Sequence, residues 1–191
     1  MEKSNIGEKI KLLTGSGMWH TREAEGLPSV HLSDGPHGLR KQEERERQNN
    51  VSLVSTCYPT ASALACSWDV TAAERLGRAV AKEAWNADVA VLLGPGINMK
   101  RSPLCGRNFE YFSEDPFLTG RLGAAYVSAA QGENVAVSLK HFAANNQETN
   151  RQTSNSQIDE RALREIYLSA FEYVVKTARP ATVMASYNRL N

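Results

Sequence analysis

The sequence has no excess of charge of either sign and no long apolar run. Its 191 residues include 22 basic and 21 acidic side chains, which give a formal net charge of +1. This balance provides no overall field to attract nucleic acid or an anionic membrane surface. No apolar run approaches the roughly 18 residues that a membrane-spanning helix needs. We therefore expect no nucleic-acid partner and no membrane partner, but a neutral or locally recognised ligand.

Cysteine is scarce, and histidine shows no metal-binding arrangement. The cysteines are Cys57, Cys66 and Cys105, an odd number without metal-ligand spacing, and the N-terminal M-E-K-S-N-I-G-E-K has no apolar signal region. These features predict reduced thiols and a cytoplasmic protein. The histidines lack ligand spacing too; they are His20, His31, His37 and His141. We expect neither a metal nor a cofactor.

A glycine-rich phosphate loop is also lacking. Gly94-Pro95-Gly96 follows an apolar segment, but Pro95 separates the glycines, and a long loop follows where a phosphate site would need a helix N-terminus. This loop runs from residue 94 to residue 114, and long ordered loops usually carry function. The sequence therefore argues against phosphate binding and marks the loop as part of a candidate site.

The sequence does contain alternating strand and helix patterns. Helical spacing of apolar residues predicts a short packing helix and three longer helices; they cover 6–14, 67–86, 115–131 and 159–178. The predicted N-caps of the longer helices are Asp69 or Ser67, Asp115 and Asp159. Short apolar runs predict an extended segment and three strands; they cover 27–33, 88–93, 135–141 and 181–187. The charge run 42–48 has no apolar face and predicts a solvated loop or helix. Because strands and helices alternate, we expect a parallel sheet with right-handed crossovers.

Polar side chains follow the carboxyl ends of the predicted strands. They are Asp34, Arg107, Lys140, His141, Arg151 and Tyr187. Lys140 and His141 are adjacent, and neighbouring residues of a strand point to opposite faces, so they can share one wall only if the strand ends or bulges there. The clustering predicts a ligand site at this edge of the sheet.

Two folds place ligands at that edge, the (β/α)8 barrel and the doubly wound sheet. A dinucleotide fold would need a glycine-rich turn leading directly into a helix, which the sequence lacks, so we favour the barrel. The predicted strands make up the N-terminal half of a (β/α)8 TIM-type barrel or slightly more. Because an open half-barrel would expose its edge strands and apolar lining, we expect residues beyond Asn191 to complete it.

The sequence resembles glycoside hydrolase family 3, of the β-glucosidase type, over essentially the whole chain. The resemblance rests on L-S-D-G-P-H-G-L-R (32–40), G-R-N-F-E-Y-F-S-E-D-P (106–116), K-H-F-A-A-N-N-Q-E-T-N-R (140–151) and S-Y-N (186–188). It implies a barrel with a pocket for a terminal sugar, in which Asp34 accepts hydrogen bonds from hydroxyls at the far end of the sugar. It also implies roles for the other predicted site residues: Arg107, Lys140 and His141 bond further hydroxyls, Arg151 supports the site, and Tyr187 lies close to the nucleophile.

The resemblance implies retaining hydrolysis, in which a carboxylate attacks the anomeric carbon and an acid protonates the leaving oxygen. In the family the nucleophilic aspartate lies beyond the tyrosine matched by Tyr187, and the acid/base usually comes from a second domain. We therefore expect both groups beyond Asn191, no catalytic residue in this chain and no activity from it alone. Residues 1–191 then form the N-terminal part of the barrel domain, without the later strands and the C-terminal α/β sandwich.

The expected activity is removal of terminal, non-reducing β-D-glucosyl residues in carbohydrate catabolism, with small β-glucosides or oligosaccharides as partners and a homo-oligomer possible for the full-length protein. Several alternatives stay open. A β-xylosidase or an α-arabinosidase would suit the same residues, and a non-catalytic sugar-binding remnant would fit the missing nucleophile. The β-N-acetylglucosaminidase branch is disfavoured, because it resembles K-H-F-P-G-H-G where this chain has K-H-F-A-A-N-N.

Overall fold

The computed structural model describes residues 6–24, 26–42 and 51–191. Its helices are α1 (Ile6–Leu12), α2 (Ala61–Ala65), α3 (Val70–Asn86), α4 (Pro116–Gln131), α5 (Glu160–Ala162) and α6 (Ser169–Ala178), with a 3₁₀ turn at Asn108–Glu110 and a π-helical stretch at Leu163–Tyr167. The strands are β1 (Leu32–Asp34), β2 (Val91–Leu93), β3 (Ala136–Phe142), β4 (Asn155–Ser156), β5 (Thr182–Ala185) and β6 (Arg189–Leu190). The predicted charge run at 42–48 lies, apart from Gln42, outside the described residues.

A parallel sheet in the order β1-β2-β3-β5 forms the centre of the fold. Helix α3 connects β1 to β2, α4 connects β2 to β3, and α5 with α6 connects β3 to β5. The predicted alternation of strands and helices and the parallel sheet are confirmed. Because the strands are parallel, their carboxyl ends lie at one edge, where the predicted site residues follow them.

The core lies between the sheet and the helices that cover it. Helix α3 packs against α4, and α4 packs against α6. The predicted apolar stripes are buried, as shown by Leu76 and Val80 of α3 and Leu122 of α4. The predicted N-caps are also observed: the side chains of Asp69 and Asp115 accept hydrogen bonds from backbone N–H groups of the first helical turns. Among the described residues, no helix has the length and apolar character needed to cross a bilayer.

The prediction that the first helix packs on the core is wrong. Helix α1 forms, but none of its residues is buried, and Leu13, which follows it, is 84% exposed. Apolar spacing shows that a helix could present an apolar face; it does not show that another element lies against that face.

The third long helix differs from its prediction as well. Asp159 is the N-cap as predicted, and its Oδ1 accepts a hydrogen bond of 2.9 Å from Ala162 N. The helix is then divided into α5, the π-helical stretch and α6. A π-helical turn changes the hydrogen bonds from i→i+4 to i→i+5 but keeps a helical apolar pattern, so the sequence periodicity does not reveal it. Arg179, with φ of 51°, ends α6 before Pro180.

Candidate functional site

The carboxyl ends of the strands border an open cleft of about 960 Å³. Every predicted site residue lines this cleft; they are Asp34, Arg107, Lys140, His141, Arg151 and Tyr187. They come from the end of β1, the long loop after β2, the end of β3, the loop after β3 and the segment after β5. Residues that are far apart in the sequence therefore meet at one edge of the sheet.

Asp34 is the last residue of β1 and starts a tight turn. Its carbonyl accepts a hydrogen bond of 2.8 Å from Arg40 N, which closes the turn. Gly35 has a φ of 135°, and a Cβ atom there would collide with the carbonyl oxygen of Gly38, so the turn requires glycine. The side chain of Asp34 faces Lys140, with 3.7 Å between Oδ1 and Nζ.

Lys140 and His141 both reach the cleft because β3 is irregular at its end. The register between β3 and β5 shifts between Lys140 and Phe142, which is the bulge that a shared wall requires. Both side chains are buried although they line the cleft. The peptide bonds Lys140–His141 and Phe142–Ala143 are cis.

Glu110 is a buried carboxylate that the sequence analysis did not assign. Its Oε2 lies 3.7 Å from Lys140 Nζ, and the side chains of Glu110 and Lys140 are only 4% and 3% exposed. Its Oε1 forms an ion pair with Arg107 Nε. Burial lowers the pKa of Lys140, although the carboxylates of Glu110 and Asp34 oppose this effect. Burial also acts to lower the pKa of Arg107, but the charge and the hydrogen bond of Glu110, together with electrostatic interactions with Tyr111 and Glu148, raise that pKa. Arg107 is therefore cationic near neutral pH.

His141 is held by hydrogen bonds at its ring and at its peptide. Tyr111 Oη lies 3.0 Å from His141 Nδ1. Asn98 bonds the backbone on both sides: its Nδ2 donates to His141 O and its Oδ1 accepts from His141 N, each at 2.9 Å. Burial, together with the positive charges of Arg107, Lys140 and Arg151, lowers the pKa of His141 to about 2. The imidazole is therefore neutral at any ordinary pH.

A second carboxylate, Glu148, supports the rim of the cleft. Its Oε2 lies 3.0 Å from a terminal nitrogen of Arg151, and its Oε1 accepts a hydrogen bond of 2.8 Å from Asn145 Nδ2. The guanidinium of Arg151 lies 5.1 Å from the centre of the Tyr187 ring, which is within cation–π distance.

The segment that carries Tyr187 is fixed to the loop after β3. Ser186 Oγ and Asn188 Nδ2 donate to the carbonyl of Ala143 at 2.9 and 3.2 Å. The three-residue motif S-Y-N therefore anchors the rim with its outer residues and leaves the tyrosine beside the cleft.

Asn191, the residue beyond which we expect the catalytic groups, has a structural contact and does not line the cleft. Its Oδ1 accepts a hydrogen bond of 2.8 Å from Ile158 N, and its Nδ2 donates one of 3.0 Å to Ile158 O. These bonds attach the segment after β5 to the residue just before Asp159, the N-cap of α5. Asn191 is therefore not a site residue, and the location of the nucleophile and the acid/base beyond it stays a prediction.

Several residues of the site were missed by the sequence analysis. Those that make the contacts above are Asn98, Glu110, Tyr111, Asn145 and Glu148, and those that only line the cleft include Trp19, His37 and Phe109. Most lie inside the long motifs, but a motif does not state which of its members touch. Within residues 6–24, 26–42 and 51–191, no group of three or more His, Cys, Asp or Glu side chains could hold a metal ion.

Comparisons with known proteins agree with this geometry. Residues 36–191 match the family model described as the glycosyl hydrolase family 3 N-terminal domain. The chain is 51% identical to thermostable beta-glucosidase B of Acetivibrio thermocellus, over 100% of this chain and 26% of that protein. It is 49% identical to an exo-alpha-(1->6)-L-arabinopyranosidase of Bifidobacterium longum, over 97% of this chain and 25% of that protein.

Solved structures of two beta-glucosidases also superpose on this chain. A beta-glucosidase of Kluyveromyces marxianus in complex with glucose superposes with a TM-score of 0.92 at 43% identity, covering 99% of this chain and 22% of that chain. A GH3 beta-glucosidase of Bifidobacterium adolescentis superposes with a TM-score of 0.91 at 47% identity, covering 99% and 27%. The chain thus spans about a quarter of the length of these relatives. The predicted partial α/β barrel is confirmed, and the chain belongs to glycosyl hydrolase family 3.

Proposed function

We propose that this chain is the sugar-binding N-terminal part of a retaining β-glucosidase, which removes terminal, non-reducing β-D-glucosyl residues from small glucosides or oligosaccharides. The observation that carries the proposal is the pair formed by Asp34 and Lys140 inside the cleft. Their charged atoms are 3.7 Å apart, and the Asp34 side chain is 33% exposed. A ligand hydroxyl beside this pair donates to the carboxylate and accepts from the ammonium.

The charge balance of the cleft favours a neutral ligand. Lys140 and Arg107 are matched by Glu110 and Asp34, which lie within ion-pair distance of them. Arg40, Arg151 and Glu148 also line the cleft, so its four positive and three negative side chains leave a net charge of only +1. Hydrogen bonds to charged groups are each worth about 1.5–3 kcal/mol, so a polyhydroxylated sugar would gain several strong contacts here.

We further propose that the nucleophile and the acid/base lie in parts of the protein beyond Asn191. The four aspartates other than Asp34 have structural positions: Asp69, Asp115 and Asp159 cap helices, and Asp88 lies in the turn that follows α3, with φ of 55°. None of them lines the cleft.

Apolar surface beside β5 supports the proposal that later barrel units complete the domain. A groove of about 710 Å³ lies there, lined in part by Phe142, Leu168, Phe171, Val175 and Val183. β5 is also the last strand of its sheet. A following strand and helix of the barrel would pair with this edge and cover the groove, which is the expected arrangement for a (β/α)8 domain.

An α-L-arabinopyranosidase is the second candidate function, because the Bifidobacterium longum relative with that name is 49% identical to this chain. A β-xylosidase would use the same contacts. A panel of aryl glycosides separates these activities. The panel is assayed with the complete product of the gene and, in parallel, with the 191-residue chain. We expect hydrolysis only by the longer protein, with the β-glucoside preferred.

Other outcomes have clear meanings. Preference for the α-L-arabinopyranoside or the β-xyloside would replace the substrate assignment. Hydrolysis by the rigorously purified 191-residue chain would contradict the proposal that the nucleophile lies outside it. No hydrolysis by either protein would favour a non-catalytic sugar-binding remnant.

Asp34→Ala in the longer protein tests the site itself. Loss of one charged hydrogen bond, about 1.5–3 kcal/mol, corresponds to a decrease in kcat/KM of about 10- to 150-fold if the contact persists in the transition state. Glu165→Ala is the control, because this exposed carboxylate forms an ion pair with Arg161 and lines neither the cleft nor the apolar groove beside β5. An unchanged kcat/KM in Asp34→Ala would contradict the proposal that Asp34 binds the sugar.

The three cysteines are free thiols in the structure. They support our proposal of a cytoplasmic location, which cell fractionation with compartment markers would test.

A further inference from the structure

We propose that Tyr111 is a positioning residue that fixes the tautomer of His141, so that the imidazole carries its proton on Nε2 and offers this N–H to a ligand in the cleft. Only the identity of that ligand as a sugar rests on the proposed function; the tautomer itself does not. Tyr111 itself is buried behind the histidine and is not among the residues that line the cleft.

The argument starts at Glu148, the far end of a chain of hydrogen bonds. Its carboxylate can only accept, so the 2.8 Å contact with Asn145 identifies the amide group of Asn145 as the donor. The same amide nitrogen lies 2.9 Å from Tyr111 Oη. Asn145 therefore donates one hydrogen to Glu148 and the other to the tyrosine hydroxyl.

Because Asn145 donates to Tyr111, Tyr111 in turn donates to His141. Its oxygen accepts from Asn145, so its own proton is available for the other neighbour, His141 Nδ1, at 3.0 Å. Burial and the charge of Glu110 raise the pKa of Tyr111, so the hydroxyl keeps its proton. Nδ1 consequently accepts a hydrogen bond and carries no hydrogen.

A neutral imidazole with an accepting Nδ1 must carry its proton on Nε2. The ring is neutral because burial and three neighbouring cations disfavour the imidazolium. The peptide of His141 is fixed separately by Asn98, so the Asn98 contacts hold the backbone while Tyr111 sets the polarity of the ring.

The fixed tautomer limits which ligands fit. At His141 the ligand must present an acceptor, whereas at Asp34 it must present a donor. A sugar hydroxyl that accepts from His141 can donate its own hydrogen onward, so the two positions fix the direction of the ligand's hydrogen bonds. Positions of this kind discriminate strongly, because a ligand lacking the matching group leaves a buried donor unpaired.

The test is the tautomer of His141, measured without sugar. The 191-residue chain contains four histidines, so two-bond ¹H–¹⁵N correlation spectra of histidine-labelled protein have few signals, and His141→Gln identifies those of His141. We expect a single tautomer with Nε2 protonated and no titration between about pH 5 and 8. A protonated Nδ1, an even mixture or a titrating ring in the wild-type chain would overturn the proposal.

Two variants and one control complete the experiment. Tyr111→Phe removes the donor to Nδ1, and Asn145→Ala frees the tyrosine hydroxyl to rotate, so each is expected to lose the pure tautomer pattern. Tyr126→Phe makes the same chemical change at another buried tyrosine, whose hydroxyl has no hydrogen-bond partner among the described residues, and should leave the His141 signals unchanged. A pure Nε2–H pattern in both folded test variants would contradict the role of Tyr111.

A glucose titration of the same samples separates the two proposals. The expected tautomer without glucose binding would contradict sugar binding by this chain and leave the positioning role intact. Glucose binding with the wrong tautomer would contradict the positioning role alone.

Discussion

Replacing Glu110 by glutamine tests how the cleft keeps its cations buried. The substitution preserves the shape of the side chain but removes the negative charge that Lys140 and Arg107 share. The Lys140 ammonium, with a side chain only 3% exposed, then keeps a single carboxylate, Asp34, at 3.7 Å. The variant therefore contains a buried charge that is only partly compensated.

The separation of the charges sets the size of the effect. With an effective dielectric constant of about 20, two unit charges 3.7 Å apart attract each other by about 4.5 kcal/mol. The glutamine oxygen can still accept a hydrogen bond, which recovers part of this energy, whereas loss of the Arg107 pair adds to the cost. Removing one partner of a buried ion pair typically costs about 3–5 kcal/mol. We expect the free energy of unfolding to fall by about that amount near neutral pH.

The pH dependence of the stability of Glu110→Gln gives a second, independent test of the prediction. In the wild-type fold burial lowers the pKa of Lys140, and Glu110 is the main group that opposes this. Without Glu110 that pKa falls further. Between this lowered value and the ordinary lysine value, the unfolded chain binds more protons than the folded chain, so the stability of the variant rises with pH. Its deficit relative to the wild type should shrink as the pH increases from this lowered pKa toward the ordinary lysine value.

Urea unfolding of the 191-residue chain across this pH range measures the effect. The matched control is Glu172→Gln, which makes the same change in an exposed pair with Lys176 and should leave stability nearly unchanged. The reasoning would be refuted if Glu110→Gln unfolded at the same urea concentration as the wild type. It would also fail if the deficit stayed constant or grew as the pH increased.

Two further predictions concern the packing of α3 against α4. Tyr126→Phe should stabilise the chain by about 1–2 kcal/mol, because its fully buried hydroxyl has no hydrogen-bond partner in the described part of the chain; an unchanged or lower melting temperature would contradict this. Gly77→Ala should destabilise it by about 1–3 kcal/mol, because a Cβ atom there would lie 2.5 Å from the backbone oxygen of Tyr126. The loss of stability from this contact should exceed the gain of about 1 kcal/mol from the higher helix propensity of alanine. A raised melting temperature of Gly77→Ala in thermal unfolding would contradict this prediction.

Local patterns in the sequence predicted most of the fold. Asp69, Asp115 and Asp159 marked the helix N-termini, because capping needs only a short polar side chain next to an apolar repeat. Helix α2 was missed, since five residues are too few to show a period, although Thr60 caps it with a hydrogen bond of 3.2 Å. The strand predicted over 88–93 begins only at Val91, because Asp88 adopts a left-handed conformation after α3.

The site could be predicted only in part, for a different reason. The residues that line the cleft follow strand ends, and a parallel sheet brings all those ends together whatever the details of packing. The residues behind them depend on tertiary contacts. Glu110 is recognisable only once Lys140, thirty residues later, is placed against it. Likewise, Tyr111 and Asn145 meet through a hydrogen bond across 34 residues.

The contacts behind the residues that line the cleft follow one pattern. Four groups that present a hydrogen-bond donor to the cleft have a carboxylate behind them: Glu110 supports Lys140 and Arg107, while Glu148 supports Arg151 directly and His141 through Asn145 and Tyr111. A neutral ligand cannot compensate buried positive charge, so the protein must supply the compensating acids itself. For this reason Glu110, which is the buried one of the two glutamates, should govern the stability of the cleft with no ligand present, whereas Asp34, whose carboxylate is partly exposed, should mainly affect binding and turnover.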